Sequence, residues 1–226
     1  MLFVLICTEG EVSEPVCIDA FLASIGTQNP RSGEEFAEVI PVPLKSNHGF
    51  KILVDKANEA IEKLENNKDS LLHLAVAEHE ATKEKWLVCD YDQMDELNVS
   101  FDDFAEAVRA SGYELVMNKP NFEYFVLAVL AGWDVANKTH KSNFIGEINR
   151  HIDNLNAENK KVKGFSDALM IPHYDKGRRV AEKFFGMLFS YNKELLLDLI
   201  AHEIPKGERY SDMPTLIERL RRLYSV

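Results

Sequence analysis

The chain has 226 residues, 46% hydrophobic and 28% charged, with a formal net charge of -11 at pH 7. That length can bury the core of one large domain, or of a domain with an appended subdomain, and the composition excludes collagen-like and disordered chains. No apolar stretch approaches the ~20 residues of a membrane helix, and the acid excess gives no support to non-specific DNA binding.

The first apolar run, Leu2 to Cys7, lacks a basic flank and is too short for the core of a signal peptide. It is therefore expected to be a strand beginning almost at the first residue, with no leader before it. Pro15 to Ile25 fits a short helix with proline at its first position. Phe36 to Val42 reads as a second strand, and Pro41 within it suits an edge or a strand end. From Phe50 to Leu64 the apolar residues recur with helical spacing, and Asn66-Asn67-Lys68-Asp69 closes the element. Leu71 to Ala81 fits either class, with helix preferred because Glu78, Glu80 and Ala81 are poor strand formers.

Trp86 to Cys89 is a short apolar strand. Phe101 to Ala110 is an amphipathic helix opened by Ser100, Asp102 and Asp103, and Tyr113 to Met117 is another strand. This alternation predicts a parallel sheet. Asn121 to Trp133 reads as a strongly apolar helix, followed by helical periods over Asn143 to Leu155, Lys176 to Phe189, Lys193 to His202 and Pro214 to Tyr224. The expected class is α/β: a domain over 1–134 with a small parallel sheet flanked by helices, then an all-helical subdomain over 135–226. The polar run Asn156 to Lys163 is expected to be an exposed connection.

Charge divides at the same place. Residues 1–134 hold 10 Lys and Arg against 25 Asp and Glu, whereas residues 135–226 hold 16 against 12. The second part therefore offers basic groups to phosphates, while the first needs cations to admit them. The three cysteines, without CxxC spacing, argue for reduced thiols and a cytoplasmic protein.

Two strands end in acids: the first in Thr8-Glu9-Gly10, the second in Asp90-Tyr91-Asp92. Open α/β sheets present such residues at their ligand-binding edge. In an Asp-x-Asp just beyond a strand, the period of two lets both carboxylates point to one side and grip one hard cation. A further acid, Glu123, follows the Lys119-Pro120 break.

Taken in order, these pieces resemble the RloB-like proteins of the Toprim superfamily. The residues that carry the likeness are Thr8 to Pro15, Asp90-Tyr91-Asp92, Pro120-Asn121-Phe122-Glu123, and a late Pro214-Thr215 with Leu216 and Leu220. The resemblance implies a Toprim-like fold and a nuclease dependent on Mg2+ or Mn2+, with Glu9, Asp90, Asp92 and Glu123 as catalytic and metal-holding acids. In nuclease relatives a second ion completes a pair about 4 Å apart. Gly10 would allow a tight turn and close approach of a phosphate, and Lys119 would contact one. Many Toprim nucleases carry an acid four positions after the first glutamate; here that position is Ser13, and Glu11 or Glu14 is left to assist. Gln93 follows the second aspartate where many RloB-like members are more acidic.

The resemblance also implies an effector of bacterial anti-phage or abortive-infection defence, controlled by a partner ATPase, acting on DNA or RNA. A homo-oligomer is left open. Two other readings compete: a catalytically inactive Toprim-like adaptor that binds nucleic acid or a partner protein, and a phosphoacceptor receiver domain. The short gap from Asp90 to Lys119 fits the receiver poorly. The basic residues Lys176, Arg178 and Arg179, and the pair Glu147 and His151, are read first as solvated surface.

Overall fold

The computed structural model describes residues 1–25, 37–44, 50–78, 81–91, 100–159, 178–191, 193–201 and 208–224. It is an α/β protein built on a five-stranded sheet: β1 (Leu2–Thr8), β2 (Ala37–Pro43), β3 (Thr82–Asp90), β4 (Glu114–Lys119) and β5 (Tyr210–Ser211). Their order across the sheet is β2-β1-β3-β4-β5, with every neighbouring pair parallel except β4 and β5. Pro41 and Pro43 lie on β2, an edge strand, where a missing N–H costs least.

Both faces of the sheet are covered, which explains the unbroken apolar runs in β1 and β3. On one face Val4, Ile6, Trp86, Val88 and Val116 pack under α1 (Ser13–Ile25), α5 (Phe122–Ala131), α7 (Phe144–Asn159), α8 (Arg178–Tyr191), α9 (Lys193–Ala201) and α10 (Met213–Tyr224). On the other, Phe3, Leu5, Cys7, Leu87, Cys89 and Met117 pack against α2 (Phe50–Glu65), α3 (Leu71–Ala77) and α4 (Phe101–Ala110). The alternation follows the two-residue period of a strand.

α5 is the central helix. Phe122 and Tyr124 to Val129 are all buried, as a helix that is apolar all round requires. It stops before Trp133 because Gly132 takes φ 87, a left-handed conformation that Gly adopts freely, and a short α6 (Trp133–Lys138) follows. Arg209 anchors the C-terminal end of α6 by donating from Nη1 to the carbonyl oxygens of Ala136, Asn137 and Thr139.

Several expectations need correction. β3 begins at Thr82, four residues before the apolar run, because Thr82 to Lys85 pair in parallel with Leu2 to Leu5. Residues 156–159, expected in a connection, continue α7. The part beyond residue 134 is not all helix: Tyr210 and Ser211 add a strand to the sheet. The same apolar cluster joins α1 and α5 to α7, α8, α9 and α10 across residue 134. Phe21 meets Phe189 edge-on at 5.7 Å between ring centroids.

Candidate functional site

β1 and β3 are adjacent and parallel, so their C-terminal ends emerge at one edge. Glu9 is the first residue past β1, and its backbone N–H donates to the Val88 carbonyl at 3.0 Å. Asp90 is the last residue of β3, and its backbone N–H donates to Glu9 Oε2 at 3.3 Å. Two acids 81 positions apart are thus joined by a hydrogen bond. Glu9 is only 8% exposed.

Of the two acids proposed to assist, Glu11 is exposed and Glu14 is buried, with 7% exposure. α1 begins at Ser13, so the acid in its first turn is Glu14. Its carboxylate occupies the space above Gly10: a Cβ on Gly10 would lie 2.0 Å from Glu14 Oε2. The close approach that this glycine permits is therefore to a carboxylate of the same chain. Burial chiefly pushes the Glu14 carboxyl up, to about 7, and the negative charges of Glu123 and Glu9 add to it. Backbone N–H groups of Glu14 and Gly10 oppose the rise.

Glu123 stands in the first turn of α5, close enough to act on Glu14. Cys89 feels the same edge: burial raises its thiol first, then the charges of Glu9, Asp90, Asp212 and Glu14. Lys119 ends β4, with its ammonium 4.2 Å from the centroid of the Tyr91 ring. Asp92 and Gln93 lie outside the described residues.

Three residues that the motifs did not single out also belong to this edge. Asn118 is fully buried in β4, and its Nδ2 donates to Asp90 Oδ1 at 3.4 Å. Ser211, in β5, donates from Oγ to Asn118 Oδ1 at 2.6 Å. Asp212 clamps Met117 from both sides, donating its N–H to the Met117 carbonyl at 3.0 Å and accepting the Met117 N–H on Oδ2 at 3.3 Å. Pro214 and Thr215 form the first turn of α10, with the Thr215 N–H on the Asp212 carbonyl.

Of the remaining candidates, Arg178 and Glu147 lie in surface ion pairs and Arg179 is exposed. Arg178 bridges Asp19 and Glu182, each at 3.0 Å, and so ties α8 to α1; Lys176 lies outside the described residues. Glu147 receives Arg150 at 2.6 Å, and the His151 ring is pushed down first by burial and then by Arg150.

Among the described residues, no three His, Cys, Asp or Glu side chains form a ready metal site. The donor chemistry nevertheless fits a hard divalent cation: Glu9, Asp90, Glu14 and Glu123 offer only oxygens. Burial is the main cause of the rise of Glu14, and the repulsion by Glu123 and Glu9 that adds to it is of the kind a cation relieves. Asn121 Oδ1, at the N-cap of α5, is buried with no hydrogen-bond partner and makes no capping bond. Compared with known families, curated proteins and solved structures, the chain matches none.

Proposed function

We propose that the protein is a metal-dependent nuclease that hydrolyses phosphodiester bonds in DNA or RNA at the C-terminal edge of its sheet. One observation carries the reading: Glu9 and Asp90, at the ends of adjacent parallel strands, are joined by the Asp90 N–H at 3.3 Å from Glu9 Oε2. Acids gathered at that edge, with Glu123 and Glu14 beside them, are what a phosphate-handling α/β site needs once a cation is present. Glu9, Asp90 and Glu123 would hold Mg2+ or Mn2+, with Asp92 completing the set. Such an ion supplies neutralisation of phosphate charge and a more acidic water.

The chain's own residues then divide the work. Glu9 holds its carboxylate against the β3 terminus, where it can accept the proton of an attacking water. Lys119, at the end of the next strand but one, offers its ammonium to a phosphate oxygen. Service as an anti-phage effector under a partner ATPase follows from the resemblance to RloB-like proteins, and the acidic first part suits docking on such a partner.

A second reading, a non-catalytic adaptor, draws support from the lack of a ready three-ligand group among the described residues. One experiment separates the two. Purified protein is incubated with plasmid DNA, and separately with total RNA, in Mg2+, Mn2+ or EDTA. The nuclease reading expects cation-dependent cleavage that Asp90→Ala and Glu9→Gln abolish. Retention of nucleic acid without cleavage supports the adaptor, and cleavage that survives both substitutions rejects the assigned site. Sequencing the ends made in cells by the wild type but not by Glu9→Gln would identify the substrate.

A further inference from the structure

Asp90, Asn118 and Ser211 lie opposite one another on three neighbouring strands: Asp90 pairs with Asn118 across β3 and β4, and Asn118 pairs with Ser211 across β4 and β5. Directly opposed residues place their side chains on the same face of a sheet. Here that face yields a continuous hydrogen-bonded row. The Met213 backbone N–H, at the start of α10, donates to Ser211 Oγ at 3.1 Å. Ser211 then donates to Asn118 Oδ1 at 2.6 Å, and Asn118 Nδ2 donates to Asp90 Oδ1 at 3.4 Å.

The row has a direction. Ser211 Oγ accepts from Met213, so its own proton goes to Asn118. An amide that accepts on its oxygen must turn its NH2 toward Asp90. Reversing the buried Asn118 amide would set its oxygen against the Asp90 carboxylate and its NH2 against the Ser211 hydroxyl, so its two side-chain partners hold this orientation. Asp90 therefore faces a fixed donor on Oδ1, which sets the rotation of its carboxylate oxygens.

We propose that Asn118 and Ser211 are positioning residues for Asp90, and that the C-terminal strand is thereby a working part of the site. The inference rests on the reading of Asp90 as a cation-holding carboxylate. It adds that the far end of the chain, more than 115 positions beyond Asp90, sets how that carboxylate is presented. Burying Asn118 and Ser211 at 0% and 3% exposure requires their polar groups to be paired, and the row pairs them in a chain that ends on Asp90. Hydrogen bonds from such supporting residues commonly change metal affinity by about 10- to 100-fold.

The test uses the full chain. In metal-free wild type, NMR should show the two Asn118 side-chain amide protons well separated and slow to exchange. In Ser211→Ala both the Asn118 amide and the Asp90 carboxyl carbon should shift, and Mn2+ affinity, read by electron paramagnetic resonance, should fall about tenfold. Ser211→Thr, which keeps the hydroxyl, should restore both readouts. Unchanged amide signals and unchanged Mn2+ affinity in a folded Ser211→Ala would overturn the proposal. So would wild-type Asn118 protons that exchange as fast as those of an exposed amide, a result that needs no variant to fold. Should the wild type bind no Mn2+, the cation reading fails, and the NMR signals alone decide the row: a shift upholds it and no shift overturns it.

Discussion

Replacing Glu14 by Gln should stabilise the cation-free protein, and only at the higher end of the pH range. The carboxyl is carried from its ordinary 4.5 to about 7, mainly by burial and then by Glu123 and Glu9. A group raised in the folded state contributes its stability below the unfolded value, and loses it as pH rises through the folded one. Between pH 4.5 and about 7 the wild type should therefore lose stability from this group. At full ionisation the loss amounts to about 3 kcal/mol.

Glutamine has the same length and carries no charge, so it escapes that cost. It accepts the backbone N–H bonds of Glu14 and Gly10 less strongly than a carboxylate would, which reduces the gain at pH 8 to about 1–3 kcal/mol. Urea unfolding of both proteins in EDTA, at pH 5 and pH 8, measures the difference at each pH and cancels groups common to both. Glu14→Gln should be close to wild type at pH 5 and more stable at pH 8, and Mg2+ should shrink that advantage by neutralising the same edge. A difference that is identical at both pH values, or a variant less stable at pH 8, would refute the argument that Glu14 is buried among like charges.

Other outcomes follow from single contacts. Gly10→Ala drives a methyl into Glu14 Oε2 and should cost about 1–3 kcal/mol; in the double variant with Glu14→Ala, which vacates that space, a denaturation cycle should return most of the loss. Glu84 accepts Arg219 at 2.6 Å and the Trp86 indole N–H at 2.8 Å, and Arg219 is the main reason its carboxyl is held low. Its contribution is present above the ordinary carboxylate range and lost as pH falls below it, so Glu84→Gln should cost about 1 kcal/mol at pH 7, given Arg219's exposure, and little at pH 2. Arg209→Ala frees three carbonyls at the end of α6 and should lower stability by about 1–2 kcal/mol, with faster amide exchange around Thr139.

The sheet was legible where burial writes itself into composition. Phe3 to Cys7 and Trp86 to Cys89 are buried on both faces and read directly as strands, and Pro41 marked the edge. Thr82 to Lys85 escaped because their side chains are exposed or only partly buried, and it is the β1 backbone that holds them. Tyr210 and Ser211 escaped for a related reason: a strand of two residues has no period to detect, and its place depends on β4. Asn118 lies one residue past the strand expected over Tyr113 to Met117, and no motif marks it. Its significance appears only when three segments distant in sequence come into register, a relation that no spacing encodes.

Glu14 shows how the start of a helix decides which residue is turned inward. The resemblance asked for an acid four places after Glu9, where this chain has Ser13, and the structure turns the next residue inward instead. One residue along a helix is a rotation of about 100°, enough to move a side chain from one face to another. Here the helix starts at Ser13, so its first turn presents Glu14 to the sheet edge and leaves Ser13 only half-buried. Room for the longer approach comes from the missing Cβ of Gly10. The glycine and the buried acid are thus sterically linked, and moving the acid, with Ser13→Glu in a Glu14→Ala background, should relieve the demand for glycine at position 10. If Gly10→Ala remained as damaging in that background as in the wild type, the steric link between the two positions would be wrong.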